Sequence, residues 1–279
     1  MTKNADAIRS LYQFSEYPLD LSHPVCKEYP LLKLGVASSV QYFAAMLTPV
    51  VVEIMDANPT HTSWVLTAPP SRRIPTAAIL LSLEIYERLK RNYPDLSLVQ
   101  LYNNREEGSI HENARDLNTF SGYSRYTWKE RKELIQRNQF VIEEDDFRNR
   151  GIVFINDINV TGASQEHISE VFSSVYPDKV NWLYIIDCDK GIGRKHPHLE
   201  NELNNIDIHT VQDFAAILAK KDIQYTAKCI SKLFSYEPGE LEQLLVLLSP
   251  DKKLKLWDAI SREDLYQGDF FKEKRQLLR

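Results

Sequence analysis

Between Ile152 and Ser164 the chain reads IVFINDINVTGAS: four apolar residues, the pair Asn156-Asp157, three further residues, then Thr161-Gly162-Ala163-Ser164. Asn156 and Asp157 can accept hydrogen bonds from the vicinal hydroxyls of a sugar, and Asp157 can also offer an oxygen to magnesium. Thr161 and Ser164 bring two hydroxyl donors, while Gly162 lets the chain turn tightly and leaves backbone amides open to an anion. A helical run follows at once, and a helix N-terminus adds the equivalent of roughly half a positive charge. One segment thus offers a place for a diol and a place for a phosphate. A plain strand, a capping Thr or Ser and a helix would produce a similar string in an α/β protein without any ligand.

Such residues need a strand that ends at a sheet edge and a helix that begins there. Apolar runs predict strands at Trp64–Leu66, Leu96–Tyr102, Ile152–Ile155 and Trp182–Ile186, with helices over Leu34–Leu47, Ile74–Leu89 and Ala163–Val175. The alternation predicts an α/β fold with a parallel sheet, whose ligands sit beyond the carboxyl ends of its strands. Residues 103–139 form a polar, aromatic and charged insertion, expected to be a lid over the site or else an exposed helical hairpin from about Thr127 to Arg137. After Ile206 strand signals stop, and VQDFAAILAKK, YTAKCISKLF, ELEQLLVLL and KKLKLWDAI predict short amphipathic helices. The expected division is therefore an α/β domain over residues 1–205 and a small all-helical domain over 206–279.

Thirty-four basic and thirty-nine acidic residues give a formal charge of −5, so no global positive field recruits nucleic acid or an anionic membrane. No run approaches the roughly 20 apolar residues of a membrane span, and the N-terminus lacks a long apolar core, which makes a cytoplasmic location the expectation. Cys26, Cys188 and Cys229 show no CxxC pairing, and the histidines, His196 and His198 among them, show no HExxH spacing, so neither a disulfide framework nor zinc chemistry is indicated. G-x-S-x-G, Walker A and G-x-G-x-x-G strings are absent. Asp187 and Asp189, just past a strand, either border a base pocket or form an acidic turn. DCDKG lacks the Glu that would complete a calcium loop.

The order of apolar run, polar-acidic pair and Thr-Gly-small-Ser resembles the ribose-phosphate motif of the type I phosphoribosyltransferases, which bind phosphoribosyl pyrophosphate. The resemblance spans about Leu31 to Asn204. It implies that Thr161, Gly162, Ala163 and Ser164 hold the 5′-phosphate, that Asn156 and Asp157 hold the ribose diol, and that Asp157 takes part in a magnesium site. Family members usually carry two acids at the pair, so Asn156 removes one charge. Relatives acting on 6-oxopurines carry an acid just before the Thr-Gly; here Val160 stands there, which disfavours hypoxanthine or guanine as acceptor.

In that family a loop after the first core strand contacts pyrophosphate, and TAPPSRRIPTAA occupies the corresponding place. Arg72 and Arg73 there are either bidentate pyrophosphate ligands or surface charges. The charged insertion matches the mobile hood of such enzymes in position, with Arg125, Lys129, Arg131, Lys132 and Arg137 as candidates to reach the ligand. Its end, YTWKERKELIQRNQF, is faintly similar to a stretch of competence-associated members, through Arg137 and Asn138. Tyr29 and Lys33 in YPLLKLG are similar to the Tyr-x-x-x-Lys-x-Gly element of stress-operon members.

The resemblance implies a magnesium-dependent transferase that passes phosphoribose to a base or amine acceptor with loss of pyrophosphate, and a homodimer such as many relatives form. Two alternatives stand beside it. Asn156 favours a non-catalytic ribose-phosphate sensor whose helical domain engages a protein. A ribose-phosphate hydrolase could use the same cradle.

Overall fold

The computed structural model describes residues 7–58, 63–103, 126–136, 140–268 and 271–278. Its main sheet has five parallel strands in the order β1 (Ala7–Phe14), β7 (Lys179–Cys188), β6 (Gly151–Asn159), β2 (Trp64–Thr67) and β3 (Leu96–Leu98). After β2 the chain moves outward to β3, whereas after β6 it moves the opposite way to β7. The gap between the carboxyl ends of β2 and β6 is therefore the topological switch point, where open α/β sheets form their ligand crevice.

Helices α1 (Pro24–Leu34), α2 (Ala37–Asp56) and α3 (Ala77–Leu89) cover one face of the sheet. Phe43, Leu47, Leu81 and Ile85 pack there against Leu66, Val153, Ile155 and Leu183. Helix α6 (Ala163–Ser173) covers the other face, where Phe172 meets Phe147, Phe154 and Trp182. Because β6 is covered on both faces, its residues up to Ile155 are uniformly apolar and buried.

Several elements differ from expectation. Strand β1 was not anticipated, since AIRSLYQF mixes polar and apolar residues; it lies at the edge, paired with β7 alone. The helix expected over Leu34–Leu47 begins at Ala37, because α1 ends at Leu34 and the chain breaks at Gly35, which has φ of 84° and lies so near the tail that an added Cβ would sit 1.9 Å from Gln224 O. The strand expected over Leu96–Tyr102 leaves the sheet after Leu98. Val99 N still donates to Leu66 O, but Leu101 O then accepts from Ser71 N, so this stretch braces the loop after β2. Tyr102–Asn103 (β4) instead pairs antiparallel with Phe140–Val141 (β5), bracketing the charged insertion. Within that insertion, residues 126–136 carry helix α4 (Trp128–Gln136), which packs on α6.

Helix α2 also corrects the reading that no run could span a bilayer: its length and hydropathy suffice. Nonetheless Phe43, Ala44, Leu47 and Val51 on its inner face are fully buried against the sheet and α3.

Three short helices, α5 (Glu144–Phe147), α7 (Lys190–Lys195) and α8 (Leu199–Asn204), connect the layers. Then come α9 (Val211–Lys220), α10 (Ala227–Ser235), α11 (Pro238–Val246), α12 (Pro250–Ser261) and α13 (Lys272–Leu277). Phe214, Ile230, Leu233, Phe234, Leu256 and Phe271 form their shared core, which also takes in Leu34 and Ile74 from the α/β part.

Candidate functional site

A cleft of about 320 Å³ opens at the switch point. β6 and α6 supply Asn156 through Ser164, the approach to α3 supplies Pro69, Thr76, Ala77 and Ala78, and Lys33, Arg131 and Glu200 come from α1, α4 and α8. The two halves of the motif thus open on one cavity.

The phosphate half is built by a backbone reversal. Gly162 caps α6 with φ of 80°, a left-handed conformation that a side chain would strain, and the buried Thr161 hydroxyl accepts from Ala163 N at 3.4 Å. Helix α4 is clamped beside this turn. Arg194 bonds both Thr161 O (3.3 Å) and Glu166 (2.7 Å) while lying 4.5 Å over the Trp128 ring, and Lys132 approaches Glu166 at 3.9 Å.

The diol half is electrostatically crowded. Lys33 Nζ donates to Asp157 Oδ2 at 2.5 Å and to Glu200 Oε1 at 3.2 Å, and Tyr29 OH donates to the same Asp157 oxygen at 3.4 Å. Arg131, only 3% exposed, stands 3.7 Å from Glu200 and donates to Tyr126 O and Pro197 O. Burial alone would raise the Glu200 carboxyl, but the charges of Lys33, Arg131 and Lys228 overcome it and hold the group at about 2. For Lys33 burial acts downward, yet Asp157 and Glu200 win and keep its ammonium above the usual range. Asn156 spends its amide locally, accepting from Asp157 N and donating to Ile158 O.

Other predicted residues lie elsewhere. Arg72 stands 3.8 Å from the buried Glu263, and Arg73 donates to Arg262 O, so the loop before α3 turns both arginines onto the C-terminal helices and away from the cleft. Asp187 accepts from Asn159 at 2.8 Å, and Asp189 caps α7 through Gly191 N and Ile192 N; neither lines the cavity. Lys129 is exposed on α4. Arg125, Arg137 and Asn138 lie outside the described residues.

Magnesium fits poorly as an ion held by the protein. Asp157 Oδ1 accepts from Ile158 N, Oδ2 is taken by Lys33 and Tyr29, and Glu200 lies between two cations. No cluster of three acidic, His or Cys ligands occurs among the described residues. A divalent ion there would have to displace an ammonium already in place.

Sequence reasoning missed Glu200, Lys228 and Ser231 as cleft residues, and noticed Lys33 only through the Tyr-x-x-x-Lys-x-Gly string. Glu200 sits in an ordinary amphipathic helix, and Lys228 and Ser231 lie in the tail, far from any motif. The family model described as PRTase ComF-like, PRTase standing for phosphoribosyltransferase, matches residues 8–278. The chain belongs to this family. No curated protein matches the chain. The match to the ComF-like family covers tail helices α9 to α13 as well as the sheet. The α/β phosphoribosyltransferase-like core expected from the motif is the fold of this ComF-like chain.

Proposed function

We propose that the protein binds phosphoribosyl pyrophosphate in this cleft and transfers its 5-phosphoribosyl group to a nitrogenous acceptor, releasing pyrophosphate. One observation carries the reading: the Thr161–Ser164 turn at the start of α6 and the Asn156-Asp157 pair open on the same cavity at the switch point. Thr161 to Ser164 hold the 5′-phosphate, with the α6 dipole favouring its charge. Asn156 and Asp157 take the ribose hydroxyls, which requires Asp157 to share its carboxylate between a hydroxyl donor and Lys33.

In the transfer the acceptor nitrogen forms a bond to C1 while the bond from C1 to the pyrophosphate oxygen breaks. The electron pair leaves with pyrophosphate, and the acceptor nitrogen gives up a proton. The protein's contribution is the fixed charge that lines the cleft, Lys33 and Arg131 among it. Val160, buried beside the turn, gives no proton acceptor or donor for a purine N7, so the acceptor is not a 6-oxopurine. This reading sets the protein among cytoplasmic enzymes of nucleotide metabolism.

A second reading, a ligand sensor without turnover, rests on the 2.5 Å contact between Lys33 and Asp157. The single acid of the pair is already neutralised by Lys33, and Asn156 adds no charge. Calorimetry with phosphoribosyl pyrophosphate tests the shared part: absence of binding would sink both. Pyrophosphate release across a panel of bases separates them, since base-dependent release excludes the sensor and release without any base points to a hydrolase.

A further inference from the structure

The last turn of α1 brings one residue to the cleft. Lys33 stands two positions before Gly35, which ends the helix, so this cation is carried where the α1 dipole is negative. The tail fixes that turn. Thr226 Oγ1 donates to Lys33 O at 2.5 Å, and Ala227 N donates to Pro75 O at 2.9 Å, so the start of α10 is pinned both to α1 and to the approach to α3.

Lys33 Nζ stands where a divalent ion would have to stand. Asp157 Oδ2 from β6 and Glu200 Oε1 from α8 converge on it at 2.5 and 3.2 Å, and Tyr29 OH donates to the same Asp157 oxygen. Their other oxygens are engaged as well, Asp157 Oδ1 by Ile158 N and Glu200 Oε2 by Arg131 at 3.7 Å. Magnesium is commonly held through one or two carboxylates, with water and ligand oxygens completing its shell. Two carboxylate oxygens meeting on one point are that arrangement, with an ammonium at its centre. Charge explains the ammonium. The Asn156-Asp157 pair brings a single negative charge, and Asn156 turns its amide onto Asp157 N and Ile158 O. Glu200 also feels Arg131 and Lys228, so one monovalent cation balances what remains, and a divalent ion would leave an excess. Burial acts against the Lys33 charge, and Asp157 and Glu200 outweigh it.

We propose that the Lys33 ammonium takes the place of a divalent ion at the ribose end of the cleft, so that the sugar hydroxyls are bound without metal. This rests on the reading of the cleft as a ribose-phosphate site. An ammonium has three protons; Asp157 and Glu200 accept two, which leaves one for a ligand oxygen. A sugar hydroxyl can then donate to Asp157 and accept from Lys33 at once. Unlike an ion drawn from solution, this cation is in place before any ligand arrives.

The test titrates ribose 5-phosphate into the full-length chain by calorimetry, once with a chelator and once with magnesium. Ribose 5-phosphate serves because the pyrophosphate of the full ligand would carry magnesium in by itself. Wild-type affinity is expected to agree within about twofold in the two buffers. Lys33→Met should lose about tenfold or more in chelator, the loss of one charge-assisted contact, and regain part of it in magnesium, which can then enter between Asp157 and Glu200. A wild-type affinity that rises about tenfold with magnesium overturns the assignment, and so does a Lys33→Met protein indifferent to the ion. Thermal melts without ligand give an independent reading: magnesium should raise the midpoint of Lys33→Met and leave that of the wild type in place. Should Lys33→Met not stay folded, Lys33→Gln goes through the same measurements. Failure of ribose 5-phosphate to bind the wild type in either buffer would remove the proposed function, while the melts still decide Lys33: no response of the variant to magnesium overturns its role.

Discussion

Lys33 Nζ lies 2.5 Å from Asp157 Oδ2, joining the last turn of α1 to the carboxyl end of β6 across 124 positions of sequence. Both side chains are largely buried, so this pair is at once a stability element and the electrostatic centre of the cleft.

Removing the ammonium should be costly. Lys33→Met leaves the Asp157 carboxylate without its main countercharge, and a broken buried pair typically costs about 3–5 kcal/mol. Urea unfolding of wild type and variant measures it. A loss under about 1 kcal/mol would show that Asp157 is solvated in solution and the contact is weak.

Acid should reveal Glu200. Its folded carboxyl sits at about 2 against an ordinary 4.5, so the unfolded chain binds the proton more readily. The contribution of Glu200 is present above pH 4.5 and drains away as pH falls towards 2. Chemical denaturation across that window should show wild-type stability falling more steeply than that of Glu200→Gln. Parallel slopes would mean that Lys33 and Arg131 do not hold this carboxylate ionised.

At the turn before α6, Gly162→Ala isolates backbone conformation. A Cβ there would meet Lys190 Cε at 3.4 Å and Glu166 Oε1 at 3.7 Å, ordinary contacts, so its cost of roughly 1–2 kcal/mol comes from the positive φ. Ribose 5-phosphate affinity should drop about tenfold as the amides of the turn shift. Full affinity in the variant would place the phosphate elsewhere.

Arg72 gives the contrasting case. Its partner Glu263 is buried and also accepts from Ile74 N at 3.4 Å, so Arg72→Met should lower thermal stability by about 1–3 kcal/mol as the contact to the tail is lost. Pyrophosphate affinity should remain within about twofold of wild type. A tenfold loss of affinity would restore Arg72 to the ligand.

The legible part of this protein was the part whose local pattern and final position agree. IVFI is apolar because β6 is covered on both faces, and Thr-Gly-Ala-Ser marks a turn into a helix whatever surrounds it. Tail helices α9 to α12 were readable for the same reason, since each buries one stripe. Strand β1 was hidden because an edge strand with mixed exposure leaves no clean period. Arg72 and Arg73 were misplaced because their types and spacing suit an anion equally well wherever the loop turns, and that turn is set by Glu263 and Arg262, some 190 positions away. Lys228 and Glu200 carry no local mark, as each becomes a cleft residue only when α10 and α8 close on the sheet.

The pinning of Thr226 to Lys33 and of Ala227 to Pro75 also bears on how the protein is made. During synthesis the motif strand and its turn emerge well before α10, so a nascent chain ending near Asn204 has a trough with one wall missing. On the proposed reading, ligand capture therefore requires α10 to be in place against the α/β part.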